Sequence, residues 1–225
     1  SVMGFFSPTV GVALSDDEFW RTTNGGLSWT ETGSQYTGYK SNIGLFVLNE
    51  TTAFACSDND RFMKTVDAGA TWTSSVTGFG LDWSTLHFFD ANNGIMAGAE
   101  TFVENGQVVA KRYMLKTTNG GNSWAKWYDL PVAVTKMRFV SSTEGYIIGT
   151  TGLLMKTTDG GATWQEIESL ITQPLKNIFI FGDDIILTGD GMSIARTSTI
   201  SPVASFLLPV STFCQGHTVV AINES

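Results

Sequence analysis

The sequence predicts an all-β fold, a β-propeller of four-stranded blades, and three observations predict it. One nine-residue stretch is written four times: RTTNGGLSW at 21–29, KTVDAGATW at 64–72, KTTNGGNSW at 116–124 and KTTDGGATW at 156–164. The closing tryptophans are 43, 52 and 40 residues apart, a period that belongs to propellers and solenoids. Upstream of each copy lie three short apolar runs, rich in β-branched and aromatic residues and parted by polar turns, which is strand patterning.

The first unit reads MGFF-SPTVG-VAL-SDDE-FWRTT and the second GLFV-LNETT-AFAC-SDND-RFMKT. The third is lengthened by AETFVENGQVVAKRYML, in which Asn105-Gly106 between alternating runs predicts an extended hairpin, with a binding protrusion as the alternative. The fourth reads MRFV-SSTEG-YIIG-TTG-LLMKT. A fifth, FIFG-DD-IILT-GDG-MSIART, keeps the rhythm but runs into STISP without the nine-residue box. Each complete unit is three strands, the box, and a fourth strand beginning at its Trp. Blades are expected near 1–42, 43–84, 85–135, 136–175 and 176–198. A ring of six to eight blades would place further blades upstream. Closure at five would need an N-terminal strand, or part of 199–209, to complete the fifth sheet.

The box residues are Thr22, Asn24, Gly26 and Trp29; Thr65, Asp67, Gly69 and Trp72; Thr117, Asn119, Gly121 and Trp124; and Thr157, Asp159, Gly161 and Trp164. Asp or Asn is expected to accept a backbone N–H two residues on, closing an Asx-type turn. Glycine permits the positive φ that follows, and the indole buries apolar area between blades. Asp67 and Asp159 alternate with Asn24 and Asn119, which keep the acceptor and lose the charge. A general acid, nucleophile or cation ligand does not survive that exchange. The box therefore reads as a structural turn.

This pattern resembles the Asp-box, or BNR-type, repeat of sialidases, xyloglucanases, sortilin-like receptors and the photosystem II stability/assembly-factor family. Its spelling is most similar to the last of these and to exported bacterial propellers. The resemblance covers residues 1 to about 198. It implies a propeller whose boxes join third to fourth strands on the side away from the binding face. Residues 201–225 resemble the opening of a PKD-type immunoglobulin-like domain through Pro202, Ala204, Phe206, Cys214, Gly216, Val219, Asn223 and Ser225, with Ile222 in place of the usual Phe. In that family the cysteine usually pairs with one further along. A propeller followed by a PKD domain resembles exported surface proteins of Bacteroidetes-like bacteria. That implies a secreted or cell-surface location, with the periplasm as alternative, and further domains of a longer polypeptide.

Composition narrows the function classes. A net charge of −8 and no basic run argue against nucleic acid. The best apolar stretch, IFIFGDDIILTG, is cut by two aspartates, so no transmembrane segment is expected. Nothing at Ser1 reads as a signal peptide, so the chain as given reads as mature, trimmed or cytosolic. Cys56 and Cys214 have no metal-type spacing, and a disulfide between them has no support in the sequence. Ser57-Asp58-Asn59-Asp60 hints at a cation loop but lacks the glycine and distal glutamate of an EF-hand, so no metal and no cofactor are expected. His87 and His217 lack a nucleophile or ligand partner nearby and read as structural.

If a binding face exists, it lies opposite the boxes. Acidic loops there supply Asp16, Asp17, Glu18, Asp58, Asp60 and Asp190. Inter-blade loops supply Tyr36, Tyr39, Phe79, Trp83, Trp127 and Tyr128. Tyr36, Tyr39, Trp83, Trp127 and Tyr128, with Asp16, Asp58 and Asp60, form the candidate site for a protein or glycan ligand. The sialidase reading fails because only five arginines exist and Arg21 and Arg196 occupy the repeated pre-box position. A two-carboxylate hydrolase drawing on Asp58, Asp82 and Asp129 remains open. The sequence thus reads as a non-catalytic exported propeller for binding, adhesion or spacing. The alternatives are an Asp-box glycoside hydrolase and an assembly factor for a membrane protein complex.

Overall fold

The computed structural model describes residues 2–15, 18–33, 43–167, 169, 171–182, 184–198 and 219–221. Five four-stranded sheets make the fold all-β, the blades of a β-propeller. Among the described residues there is no α-helix, only single 3-10 turns at Thr150–Gly152 and Asp190–Met192. Residues group into two compact units, Ser1–Pro131 and Val132–Ser225.

The first unit holds three blades, each an antiparallel meander. Blade 1 is β1 (Val2–Phe5), β2 (Gly11–Ser15), β3 (Glu18–Thr22) and β4 (Thr30–Gly33). Blade 2 is β5 (Ile43–Val47), β6 (Ala53–Ser57), β7 (Arg61–Thr65) and β8 (Thr73–Val76). Blade 3 is β9 (Asp82–Phe88), β10 (Gly94–Glu104), β11 (Gln107–Thr117) and β12 (Ala125–Asp129). The second strands are buried on both faces, Ala53–Ser57 throughout, so they appear in the sequence as unbroken apolar runs. Fourth strands begin just after the box tryptophan rather than at it.

Neighbouring blades of this unit meet through aromatic rings. Trp72 packs on Phe19 of blade 1 with centroids 5.4 Å apart, and Trp124 packs edge-on against Phe62 of blade 2 at 5.2 Å. Phe54 and Phe88 stack at 3.5 Å across blades 2 and 3. The pre-box cations join in: Arg21 Nε donates to the carbonyl of Ala68, in the box of the next blade, at 2.8 Å.

The second unit holds β13 (Val134–Phe139), β14 (Gly145–Gly149), β15 (Leu154–Thr157) and β16 (Gln165–Glu166), then β17 (Leu175–Phe181), β18 (Asp184–Gly189), β19 (Ile194–Ser198) and β20 (Val219–Ala221). Tyr146, Ile148, Leu175, Ile178 and Leu187 form the core between its two blades. Thr135 Oγ1 donates to the Leu175 carbonyl at 2.7 Å, tying the first strands together. In the fifth blade the fourth position is taken by β20, which runs parallel to β19. The segment comes from 219–221, beyond the stretch 199–209 considered for that place.

Glycine at the fifth pattern position has a packing reason beyond its φ. A Cβ on Gly121 (φ 86°) would stand 2.1 Å from Phe62, whereas one on Gly26 (φ 89°) would meet nothing nearer than 3.7 Å. Gly26→Ala should cost only the backbone term, about 1–2 kcal/mol. Gly121→Ala should add an overpacking term of about 1–3 kcal/mol. Chemical denaturation of the two variants measures the difference, and equal losses would show that the glycine does not set inter-blade spacing.

Candidate functional site

Each box is the same hydrogen-bonded turn, organised by its threonine. Thr22, Thr65, Thr117 and Thr157 are all buried. In the fourth box, Thr157 Oγ1 donates to Asp159 Oδ1 at 2.8 Å and accepts the N–H of Gly161 at 2.9 Å. The other three boxes repeat both bonds within 0.2 Å. Asp or Asn then accepts the N–H four residues on, at 2.9–3.0 Å, from Ser28, Thr71, Ser123 and Thr163. This corrects the expected Asx turn, whose bond spans two residues. Two successive residues of positive φ curl the loop so that a later N–H returns to the acceptor.

The Asp/Asn exchange has a local partner. Where the acceptor is Asn24 or Asn119, its Nδ2 donates to a serine hydroxyl at 2.8 Å. Where it is Asp67 or Asp159, a threonine hydroxyl donates to Oδ2 at 2.6 Å instead. The bond reverses direction and the loop is preserved. Asp159 is held down to about 2, first by the Thr163 hydroxyl and then by the Thr163 and Thr157 bonds. Its contribution is complete above the ordinary carboxylate pKa and disappears as the pH falls towards 2.

A second repeated device went unread in the sequence. Ser7, Asn49, Asp90 and Ser141 each accept the N–H groups two and three residues on, shaping the turn between first and second strands. Carbonyls in those turns, of Thr9, Thr51, Asn92 and Thr143, accept the N–H of the residue that follows the box Asp or Asn at 2.8–2.9 Å. The available signal was a small polar residue four places before the second strand of each of the first four blades, as in the SPTVG and SSTEG turns.

The candidate binding face is corrected at its centre. Trp83 is fully buried, and Asp58 and Asp60 are 2% and 8% exposed. The β6–β7 loop and the connector after β8 do lie together, at the strand ends opposite the box, but they form a clamp. Asp60 accepts from the Trp83 indole N–H at 3.1 Å, the Gly78 N–H at 2.7 Å and the Thr77 hydroxyl. Asn59 N–H donates to Asp82 at 2.9 Å. The error has a simple cause: β9 begins at Asp82, ahead of the expected boundary at 85, so Trp83 is a strand residue facing the core. Phe79, on the same connector, packs edge-on against Tyr113 at 6.0 Å.

Trp127 and Tyr128 are likewise strand residues, on β12 rather than in a loop. Trp127 sits at a bulge, is 41% exposed, and has the Lys116 ammonium 4.1 Å from its ring centroid. Asp16, Tyr36 and Tyr39 lie outside the described residues, as do Asp17, Cys214 and His217. Glu18 accepts from the Trp20 indole N–H, and Asp190 pairs with Lys176 at 3.3 Å. Arg196 pairs with Asp184 at 2.6 Å. Cys56 is a buried thiol whose pKa is pushed up by desolvation.

The departure from the repeat is the blade 3 hairpin. β10 and β11 stay paired from Gly94↔Thr117 to Glu104↔Gln107. β9 stops at Asp82↔Ala99 and β12 at Tyr113↔Asp129, so Glu100–Arg112 projects as a two-stranded ribbon. At its tip Asn105 and Gly106 have φ of 51° and 77°, as a type I′ turn requires. Val103 and Val108, directly paired, are 71% and 75% exposed. At the base lies an open groove of about 410 Å³ lined by Ala110, Lys111, Arg112, Tyr113, Lys126, Asp129 and Leu130. Lys126 pairs with Asp129 at 2.6 Å, and Arg112 Nη1 donates to the Pro131 carbonyl at 3.3 Å. Among the described residues no group of His, Cys, Asp and Glu side chains converges as a metal site, and no helix is long and apolar enough to cross a membrane.

The family profile described as photosynthesis system II assembly factor YCF48 matches residues 85–174. Among curated proteins no sequence matches. A structure described as YCF48 bound to D1 peptide superposes with a TM-score of 0.64 at 12% identity, covering 88% of this chain and 62% of that one. YCF48 from Cyanidioschyzon merolae gives 0.54 at 16% identity, covering 84% and 66%. An ancestral GH74 enzyme gives 0.59 at 19% identity, covering 84% of this chain and 29% of the enzyme. The chain thus spans less than two thirds of each of these proteins. The likeness is one of fold, shared by assembly factors and a glycoside hydrolase.

In the fourth box Trp164→Ala should cost about 3–5 kcal/mol by large-to-small precedent. Thr157→Val, which removes the hydroxyl bonded to both Asp159 and Gly161, should cost about 1–3 kcal/mol. Asp159→Asn should leave the melting temperature at neutral pH essentially unchanged. Thermal melts rank the three, and damage from Asp159→Asn equal to that from Trp164→Ala would refute the turn.

His87 lies between the Phe46 and Phe89 rings at 4.6 and 4.9 Å, and burial lowers its pKa to about 4. The unfolded chain takes up a proton near pH 6.5 that the folded imidazole refuses until about pH 4, so stability falls as pH drops through that window. The loss should approach about 3 kcal/mol. Denaturation midpoints measured from pH 7 to pH 4 should fall less steeply in His87→Phe, and parallel curves would exclude this histidine as the cause.

Proposed function

We propose that the chain is a non-catalytic propeller module that binds a segment of a partner protein, exported or displayed at the cell surface. The observation that carries the reading is the projecting ribbon of blade 3, with its exposed Val103–Val108 pair above an open groove. Exposed apolar area on a protruding element is a feature of interaction sites. The acids a hydrolase would draw on are otherwise engaged: Asp82 holds the Asn59 N–H, Asp129 pairs with Lys126, and Asp58 is buried. A fold-level neighbour is described with a bound peptide, which supports a protein ligand by analogy of fold alone. An assembly-factor role is the specific form suggested by the profile that matches 85–174. The extracellular or surface location, with the periplasm as alternative, rests on the resemblance of 201–225 to a PKD opening.

Selection from a displayed peptide library against the purified chain tests the reading. Enriched peptides should bind saturably in calorimetry, and the double change Val103→Ser/Val108→Ser should weaken them without lowering the melting temperature. Turnover of xyloglucan or a sialoside that Asp82→Asn or Asp129→Asn abolishes would overturn the proposal.

A further inference from the structure

The two flanking lanes of the blade 3 sheet, β9 and β12, end before the central hairpin does. On the β11 side the last bond of the outer lane is from the Leu130 N–H to the Arg112 carbonyl, at 3.0 Å. Beyond it the next residues of β11, back to Gln107, have no strand on that outer side among the described residues. Outward-facing backbone groups alternate along an antiparallel edge, so the lane of β12 continues as a row of hydrogen-bonding groups.

Side chains on the two faces of this edge differ, because successive residues alternate. Val108, Ala110 and Arg112 fall on one face, with Val108 paired with Val103, and Val109, Lys111 and Tyr113 fall on the other, with Val109 paired with Phe102. The groove draws on both, Ala110 and Arg112 from the first and Lys111 and Tyr113 from the second, together with Lys126 and Asp129. Lys111, Arg112 and Lys126 line the groove, with Asp129 beside Lys126 and Glu100 opposite Lys111, which leaves a local excess of positive charge in a chain whose net charge is −8. Cations on an open edge deter pairing with neutral or basic strands and favour an acidic one.

We infer that the outer edge of β11 is a strand-addition site for an extended acidic segment of a partner protein. The segment lies in the lane of β12, its backbone bonded to β11, its carboxylates on Lys111 and Lys126, and its alternate apolar side chains over Val108 and Ala110. This rests on the protein-binding reading above and gives it a mode and a partner chemistry.

The test uses the whole chain and a fluorescein-labelled octapeptide alternating glutamate and valine, read by fluorescence anisotropy. The peptide should bind more weakly as salt rises, and its lysine–valine counterpart should not bind. Lys111→Glu with Arg112→Glu should raise Kd at least about tenfold, and Lys111→Glu alone should raise it measurably, with melting temperatures confirming the fold. N-methylation of alternate peptide amides should abolish binding in one phase and spare it in the other, the signature of strand addition. No binding of the acidic peptide, or binding indifferent to charge reversal or to methylation phase, would overturn the inference. Library peptides that still bind Lys111→Glu at full strength would do the same while leaving the protein-binding reading intact.

Discussion

A third strand that ends in threonine must hand its chain to a fourth strand within eight residues, and the loop between them contains backbone N–H groups that no strand can satisfy. The buried threonine hydroxyl meets this constraint. It accepts from the glycine N–H four residues on while donating to the Asp or Asn that holds the next N–H. The same loop bonds back to the turn between first and second strands, through Gly25, Ala68, Gly120 and Gly160. One turn thereby fixes where all four strands of a blade begin or end. Unsatisfied buried N–H groups are costly enough that this network cannot be left half-made. The hydroxyl beside the acceptor accepts from Asn and donates to Asp, so either residue completes the network.

Within the first unit the ordered turn also sets how blades meet. Glycine brings the box of one blade against Val12 or Phe62 of the preceding one, and the tryptophan wedges beside it. At the other strand ends, the Asp60 clamp on Trp83, Gly78 and Thr77 binds blade 2 to the start of blade 3. Blades 2 and 3 are therefore held at both ends. The regular loops between them are occupied with structure, and an acidic residue beside an aromatic one is there a joint rather than a receptor.

The repeat and the box were legible because each recurs in register, so four copies vote on every position. Asp/Asn interchange was readable for the same reason. The binding face was not, because its residues were chosen by type, and type does not report which way a strand faces. A shift of the β9 boundary from 85 to 82 turned Trp83 from a loop aromatic into the largest fully buried side chain. The turn acceptors Ser7, Asn49, Asp90 and Ser141 escaped notice because three residue types fill one role, and only their common bond reveals it. The extended hairpin, by contrast, was announced by Asn105-Gly106 and stands where expected.

That hairpin is the point at which the chain stops obeying its own repeat. A two-stranded ribbon is marginal by itself. This one is held by its continuity with a four-stranded sheet at one end and a turn of the required backbone geometry at the other. Neither device calls for paired valines in solvent or for three cations about a groove in an acidic chain, since polar residues would serve the ribbon's stability equally well. Structural necessity accounts for the box, the aromatic wedges and the Asp60 clamp. It does not account for Val103, Val108 and Lys111, and those are the residues on which a function has room to act.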